Sequence, residues 1–210
     1  MTRINLIIVC LFFSACSLQP EPASPAISWQ EHRQQVAALQ QWQLSGKLGY
    51  RGPEKGGSAK LNWTQDEDHY QLLFSGPLGM GSAEIVGNSK TVEMAQGDAV
   101  YRAAPEYLAV RLTGLPIPVD ALGWWVRGLP SPNQPKVTDL ATGADGLASG
   151  FSQGGWQLSF SRYRMTQGGM LPGKISGTFN TANTAAHSAT ATNRRYSFKL
   201  VISHWNFQIK

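Results

Sequence analysis

Residues 42–74 read WQLSGKLGYRGPEKGGSAKLNWTQDEDHYQLLF, and their alternation decides the fold class. Trp42, Leu44, Leu48 and Tyr50 fall on one face of an extended chain, followed by Ala59, Leu61 and Trp63 and then by Tyr70, Leu72 and Phe74. A period of two, broken by turn residues, is the pattern of strands that bury one face. Asp66, Glu67 and Asp68, the densest carboxylate group in the chain, stand where a turn must join the second run to the third. The three runs are expected as consecutive antiparallel strands. Further short strands fit Ala83 to Val86, Thr91 to Met94 and Asp98 to Arg102.

On either side the period changes. Upstream, Ser28 followed by Glu31 is a capping box, and Trp29, His32, Val36 and Leu39 recur at helical spacing. Downstream, Pro105 opens a run with Tyr107, Leu108 and Leu112 that stops at Gly114. Pro118 opens another, with Val119, Leu122, Trp125 and Val126, that stops at Gly128. Two short helices thus interrupt the strands. Pro130, Pro132 and Pro135 mark a connection, after which alternation resumes at Trp156, Leu158 and Phe160, at Ile175, Gly177 and Phe179, and at Phe198, Leu200 and Ile202. Trp205, Phe207 and Ile209 are read as a last strand, and the Thr, Ala, Asn and Ser tract within residues 180–193 as a mobile loop. About a dozen short strands with few helices point to a barrel, a half-barrel or a sandwich. Their large apolar residues suit either a filled core or a lipid-sized cavity.

The amino terminus has a different chemistry. Arg3 precedes an apolar run from Ile4 to Phe13, broken only by Asn5, and small residues follow. Residues 1–15 read as a secretory signal, about half as long as the roughly 20 residues of a transmembrane helix. Cys16 directly after Ser14 and Ala15 resembles a bacterial lipobox, with Phe13 where leucine is usual, and makes Cys16 the expected site of lipid attachment. Because Cys10 leaves with the signal, Cys16 is the only thiol of the mature chain, so neither a disulfide nor a thiolate metal site is expected. Pro20, Pro22 and Pro25 suggest that residues 16–27 are an acylated, flexible tether. Ser17 resembles an outer-membrane address, placing the chain on the periplasmic side as a lipid-anchored protein. Residues 28–210 are left as a single domain of ordinary size.

Without Arg3 the chain has 17 basic and 13 acidic residues, scattered rather than run together. Nucleic-acid binding is therefore not expected. His32, His69, His187 and His204 lack metal-ligand spacing. Gly168 to Lys174 has the glycine and lysine spacing of a phosphate loop, but Ile175 replaces the hydroxyl that would hold magnesium. The sequence thus predicts no enzyme, no cofactor and no metal. One loop stands apart: Gly76-Pro77-Leu78-Gly79-Met80-Gly81 sets two large apolar side chains among glycines and a proline. Turn chemistry explains the glycines and proline but not Leu78 and Met80. An apolar loop tip is what a membrane-touching device needs.

Several of these segments resemble the LolB family, the outer-membrane lipoprotein receptors of Gram-negative bacteria. They are the helix and strand from Trp29 through Trp42 to Tyr50, the run Leu72-Leu73-Phe74-Ser75-Gly76-Pro77-Leu78-Gly79, and Leu112-Thr113-Gly114-Leu115-Pro116-Ile117-Pro118. Gly128-Leu129-Pro130 and the closing strand with Trp205 add to the match, which spans essentially the whole mature domain. The resemblance implies a mainly β fold, an incomplete, half-open antiparallel β-barrel with about three short α-helices covering an apolar cavity for lipoprotein acyl chains. On that reading Leu44, Leu48, Trp63, Leu72, Phe74, Leu122 and Trp125 are the expected cavity residues. Leu78, with Pro77, Gly79 and Met80, forms the expected membrane-insertion loop, and Met80 and the 180–193 segment depart from the family pattern. The implied partners are a LolA-like periplasmic carrier, the acyl chains of lipoprotein cargo and outer-membrane lipid, and a monomer is expected. A lipocalin-like anchored module for a small hydrophobic ligand is the alternative.

Overall fold

The computed structural model describes residues 27–76, 81–181 and 194–207. The signal, Cys16, nearly all of the tether, the loop residues Pro77 to Met80, residues 182–193 and Ile209 lie outside them. After helix α1 (Trp29–Ala37) come β1 (Gln41–Arg51), β2 (Gly56–Asp66), β3 (His69–Ser75), β4 (Ser82–Gly87), β5 (Val92–Gln96) and β6 (Ala99–Ala103). Helices α2 (Pro105–Thr113) and α3 (Val119–Val126) follow, then β7 (Thr138–Thr142), β8 (Ala148–Gln153), β9 (Trp156–Ser161), β10 (Arg164–Thr166), β11 (Gly169–Leu171), β12 (Lys174–Asn180) and β13 (Arg195–Asn206).

Eleven strands form one antiparallel sheet in the order β6-β5-β4-β3-β2-β1-β13-β12-β9-β8-β7, and β10 and β11 make a separate hairpin. The two edge strands, β6 and β7, do not pair with each other, so the sheet stays open. Its apolar face contributes Trp42, Leu61, Trp63, Leu72, Ile85, Met94, Phe151, Trp156, Phe160, Ile175 and Leu200 to one buried cluster, which also contains Leu108, Leu115, Trp125 and Val126 from α2, α3 and their link. The two helices therefore pack on the face that the strand alternation leaves apolar. Trp42 lies 5.1 Å from Trp63 and 5.5 Å from Trp205, ring centre to ring centre, an aromatic spacing that favours tilted and edge contacts.

Local chemistry sets the helix ends. Ser28 and Glu31 form the expected capping box, each side chain accepting from the other's amide at 3.2 and 3.0 Å. Helix α2 starts at Pro105 and ends on Gly114, whose φ of 75° suits a residue without a side chain. Helix α3 runs into Gly128, with φ 79°.

Several features differ from the sequence reading, among them the β10–β11 hairpin, which it lacked, and Phe207, which lies beyond the end of β13. Phe198 and Trp205 belong to one 12-residue strand, because β13 absorbs a register slip opposite Ser45 and Gly46 instead of breaking. β7 shows no alternation because all five of its residues are exposed. β8 was hidden by small and polar residues, although Phe151 and Gln153 are buried.

Candidate functional site

Between the sheet and helices α2 and α3 lies an apolar cavity of about 90 Å³. β1 and β2 supply Leu48, Leu61 and Trp63, β3 supplies Tyr70, Leu72 and Phe74, and the helices supply Leu108, Ala109, Leu112 and Leu122. Of the residues expected from sequence, Leu48, Trp63, Leu72, Phe74 and Leu122 line this space, whereas Leu44 and Trp125 do not. Leu44 is spent on the filled part of the core. Trp125 is fully buried and points its indole N–H to Gln153 Oε1 at 2.9 Å. Alternation puts the strand residues on the sheet's apolar face but does not separate its filled half from its hollow half.

The walls hold few polar groups. The Thr113 hydroxyl is occupied, donating to the Ala109 carbonyl at 2.7 Å and accepting from the Leu115 amide at 3.1 Å. Tyr70 is the exception: its hydroxyl is buried and has no hydrogen-bond partner. Burial, with a smaller contribution from the charge of Glu106, pushes its pKa up to about 12, so the phenol stays neutral.

At one end the cavity borders a shallow space lined by Leu48, Phe74, Leu112 and Thr113 together with Gly76 and Gly81. The Gly76 amide donates to the Gly81 carbonyl at 2.9 Å, closing the base of the segment that carries Leu78. At the other end Trp63, Tyr70, Leu72 and Val119 also line an open vestibule of about 530 Å³, whose remaining walls include Trp124, Arg127, Asp120, Glu67 and Asp68.

Arg127 is a buried cation that the sequence reading did not single out. Its guanidinium donates to the carbonyls of Gly123 at 2.9 Å, Val36 at 3.1 Å and Leu39 at 2.7 Å, and lies over the Trp124 ring. Burial lowers its pKa to about 10, which still leaves it charged at neutral pH. Lys55, Arg111 and Arg194, scattered in sequence, line a separate concavity of about 410 Å³ beside exposed Tyr107 and Val110. The carboxylates Asp66 to Asp68 close the β2–β3 turn as expected, with Glu67 at φ 54°.

The family model for the outer membrane lipoprotein LolB matches residues 40–205. Outer-membrane lipoprotein LolB of Cellvibrio japonicus is 38% identical over 162 residues, covering 74% of this chain and 79% of its own length. The protein of the same name from Pseudomonas fluorescens is 37% identical over 174 residues, covering 82% and 83%. Among solved structures, a LolA superfamily protein from Nitrosomonas europaea superposes with a TM-score of 0.55 at 8% identity, over 88% of this chain and 96% of its own, a likeness of fold alone. By the extent of the family match and the identity of these relatives, the chain belongs to the outer membrane lipoprotein LolB family.

Proposed function

We propose that the protein is an outer-membrane lipoprotein receptor, which takes lipoproteins from a LolA-like periplasmic carrier and inserts them into the outer membrane without ATP. The observation that carries this reading is the apolar cavity held between one face of an open sheet and two short helices. Its volume is smaller than the roughly 150 Å³ that admits a benzene molecule, so an acyl chain requires α2 and α3 to shift outward. Each methylene moved out of water contributes about 0.8 kcal/mol, and chains exposed during transfer would cost on the order of tens of kcal/mol. Carrier and receptor cavities must therefore meet mouth to mouth. Direction needs little: a preference of about 1.4 kcal/mol over the carrier gives a tenfold bias. The cations Lys55, Arg111 and Arg194 favour encounter with an anionic carrier surface. Acylation at Cys16 would hold the receptor at the periplasmic face of the outer membrane, and Leu78, with Pro77, Gly79 and Met80, would enter the lipid.

The test is transfer without nucleotide. A labelled lipoprotein held by the carrier is mixed with this protein, the two are separated, and the label is located. Label on this protein supports the receptor role, and label remaining on the carrier would favour an anchored module for a small hydrophobic ligand. Leu78→Glu is expected to accept cargo normally and to fail at release into vesicles. An unfolded Leu78→Glu protein would mean that Leu78 belongs to the core.

A further inference from the structure

Tyr70 stands where two spaces of opposite character join. It lines the closed apolar cavity and also the open vestibule, which it shares with the buried Arg127 and the carboxylates of Asp120, Glu67 and Asp68. Its hydroxyl is shielded from solvent and unpartnered, whereas three other polar side chains of the vestibule are engaged. The Trp63 indole N–H donates to Gln65 Oε1 at 3.0 Å, Asp120 accepts from Gln134 at 3.1 Å, and Arg127 is held by three backbone carbonyls. A buried hydroxyl without a partner costs free energy that a phenylalanine in the same place would not. The rim carboxylates oppose an anionic head, so the missing partner is a neutral acceptor.

We propose that Tyr70 reads the ester linkage of an acylglycerol: the chain runs into the apolar cavity, the glycerol rests in the vestibule, and the hydroxyl donates to the ester carbonyl at the neck between them. This rests on the acyl-chain reading of the cavity and adds the chemical group recognised at its mouth. The vestibule, at about 530 Å³, is of the size of small-ligand sites. Ester-linked acylglycerol occurs both in a lipid-modified cargo cysteine and in free membrane lipid, and the experiment separates these sources.

The mature acylated protein and Tyr70→Phe are released from detergent micelles into a native mass spectrometer in the presence of 1-palmitoylglycerol or its ether analogue, 1-hexadecylglycerol. The unsubstituted protein is expected to favour the ester about fivefold, the worth of one neutral hydrogen bond. Tyr70→Phe is expected to lose that preference, to bind the ether as before, and to melt about 2–4 °C higher as the unpaired hydroxyl disappears. Equal ester preference in both proteins overturns the proposal, as does binding of neither lipid by a protein that still accepts carrier-held lipoprotein. Ester preference lost in Tyr70→Phe, in a protein that accepts no lipoprotein from the carrier, would keep the Tyr70 site, assign it to free lipid and sink the receptor reading.

Discussion

His32 is sealed on the buried face of α1, its ring 5.9 Å from that of Trp29 and 6.3 Å from that of Tyr163, and neither of its nitrogens has a hydrogen-bond partner among the described residues. Burial disfavours the imidazolium more than the charge of Asp145 favours it, so the pKa lies below the ordinary 6.5. The unfolded chain then takes up this proton first as the pH falls. Stability from this residue is complete above pH 6.5 and is lost as the pH drops toward the lower folded value. His32→Leu should flatten that part of the profile, which urea melts at pH 7.5 and at pH 5 would read. An unchanged loss of stability at pH 5 would assign it to other groups. His32 also marks the limit of what single residues disclose in sequence. Its helical spacing with Trp29 and Val36 gave its face correctly, yet nothing in the sequence says that its nitrogens go unpaired. Tyr70 is the same case on a strand, where alternation makes it one more inward aromatic and only the fold makes it line both the cavity and the vestibule.

Helices α2 and α3 differ from α1 in how they begin. α1 has the reciprocal Ser28 and Glu31 cap, whereas neither Ala104 nor Pro118 gives a side-chain hydrogen bond to the helix it precedes. A missing cap weakens a short helix by roughly 0.5–2 kcal/mol, and elements that move are drawn from the less stable parts of a fold. Arg127 offsets this by joining α3 to the end of α1, donating to the Val36, Leu39 and Gly123 carbonyls. Removing a buried charged donor from three acceptors in Arg127→Met should cost about 3 kcal/mol, a fall in Tm of about 6–12 °C by thermal denaturation. Loss of less than about 2 °C would mean that the two helices are held by apolar packing alone. At this scale the sequence was informative where periodicity met punctuation: the capping box, Pro105 with Gly114, and the alternating strands from Trp42 to Phe74 all stand where they were expected. It was silent on β7, which has no buried face, and on the β1–β13 slip, which depends on a partner strand more than 150 residues away. Gln153 was equally hidden, because its value lies in four partners supplied by the fold: the Trp125 indole, the Ser131 amide, and the Ser131 and Pro135 carbonyls.

The molecule as a whole is a sheet with enough strands to close that does not close, leaving α2 and α3 to cover its apolar face. A closed barrel of this size would fix the volume inside it, whereas a sheet covered by helices can exchange packing between two arrangements without breaking strand hydrogen bonds. Under the proposed function the cavity, about 90 Å³, would be the contracted arrangement, and cargo would select an expanded one. Ala109 tests this from inside, since it lies on α2 and faces the cavity with the smallest side chain among the helix residues that line it. Ala109→Phe puts a ring into the existing void, and its added apolar contact should leave Tm unchanged or slightly higher. The same ring occupies the space from which an acyl chain must enlarge the site. Acceptance of carrier-held lipoprotein should therefore fall about tenfold, the equivalent of 1.4 kcal/mol, while the strand signature in circular dichroism stays the same. A large drop in Tm would mean that the void is too tight for the ring, and Ala109→Leu then replaces it as the probe. A stable, filled protein that accepts cargo as well as the original would place the acyl chains outside this cavity, and the helices would be a fixed part of the core.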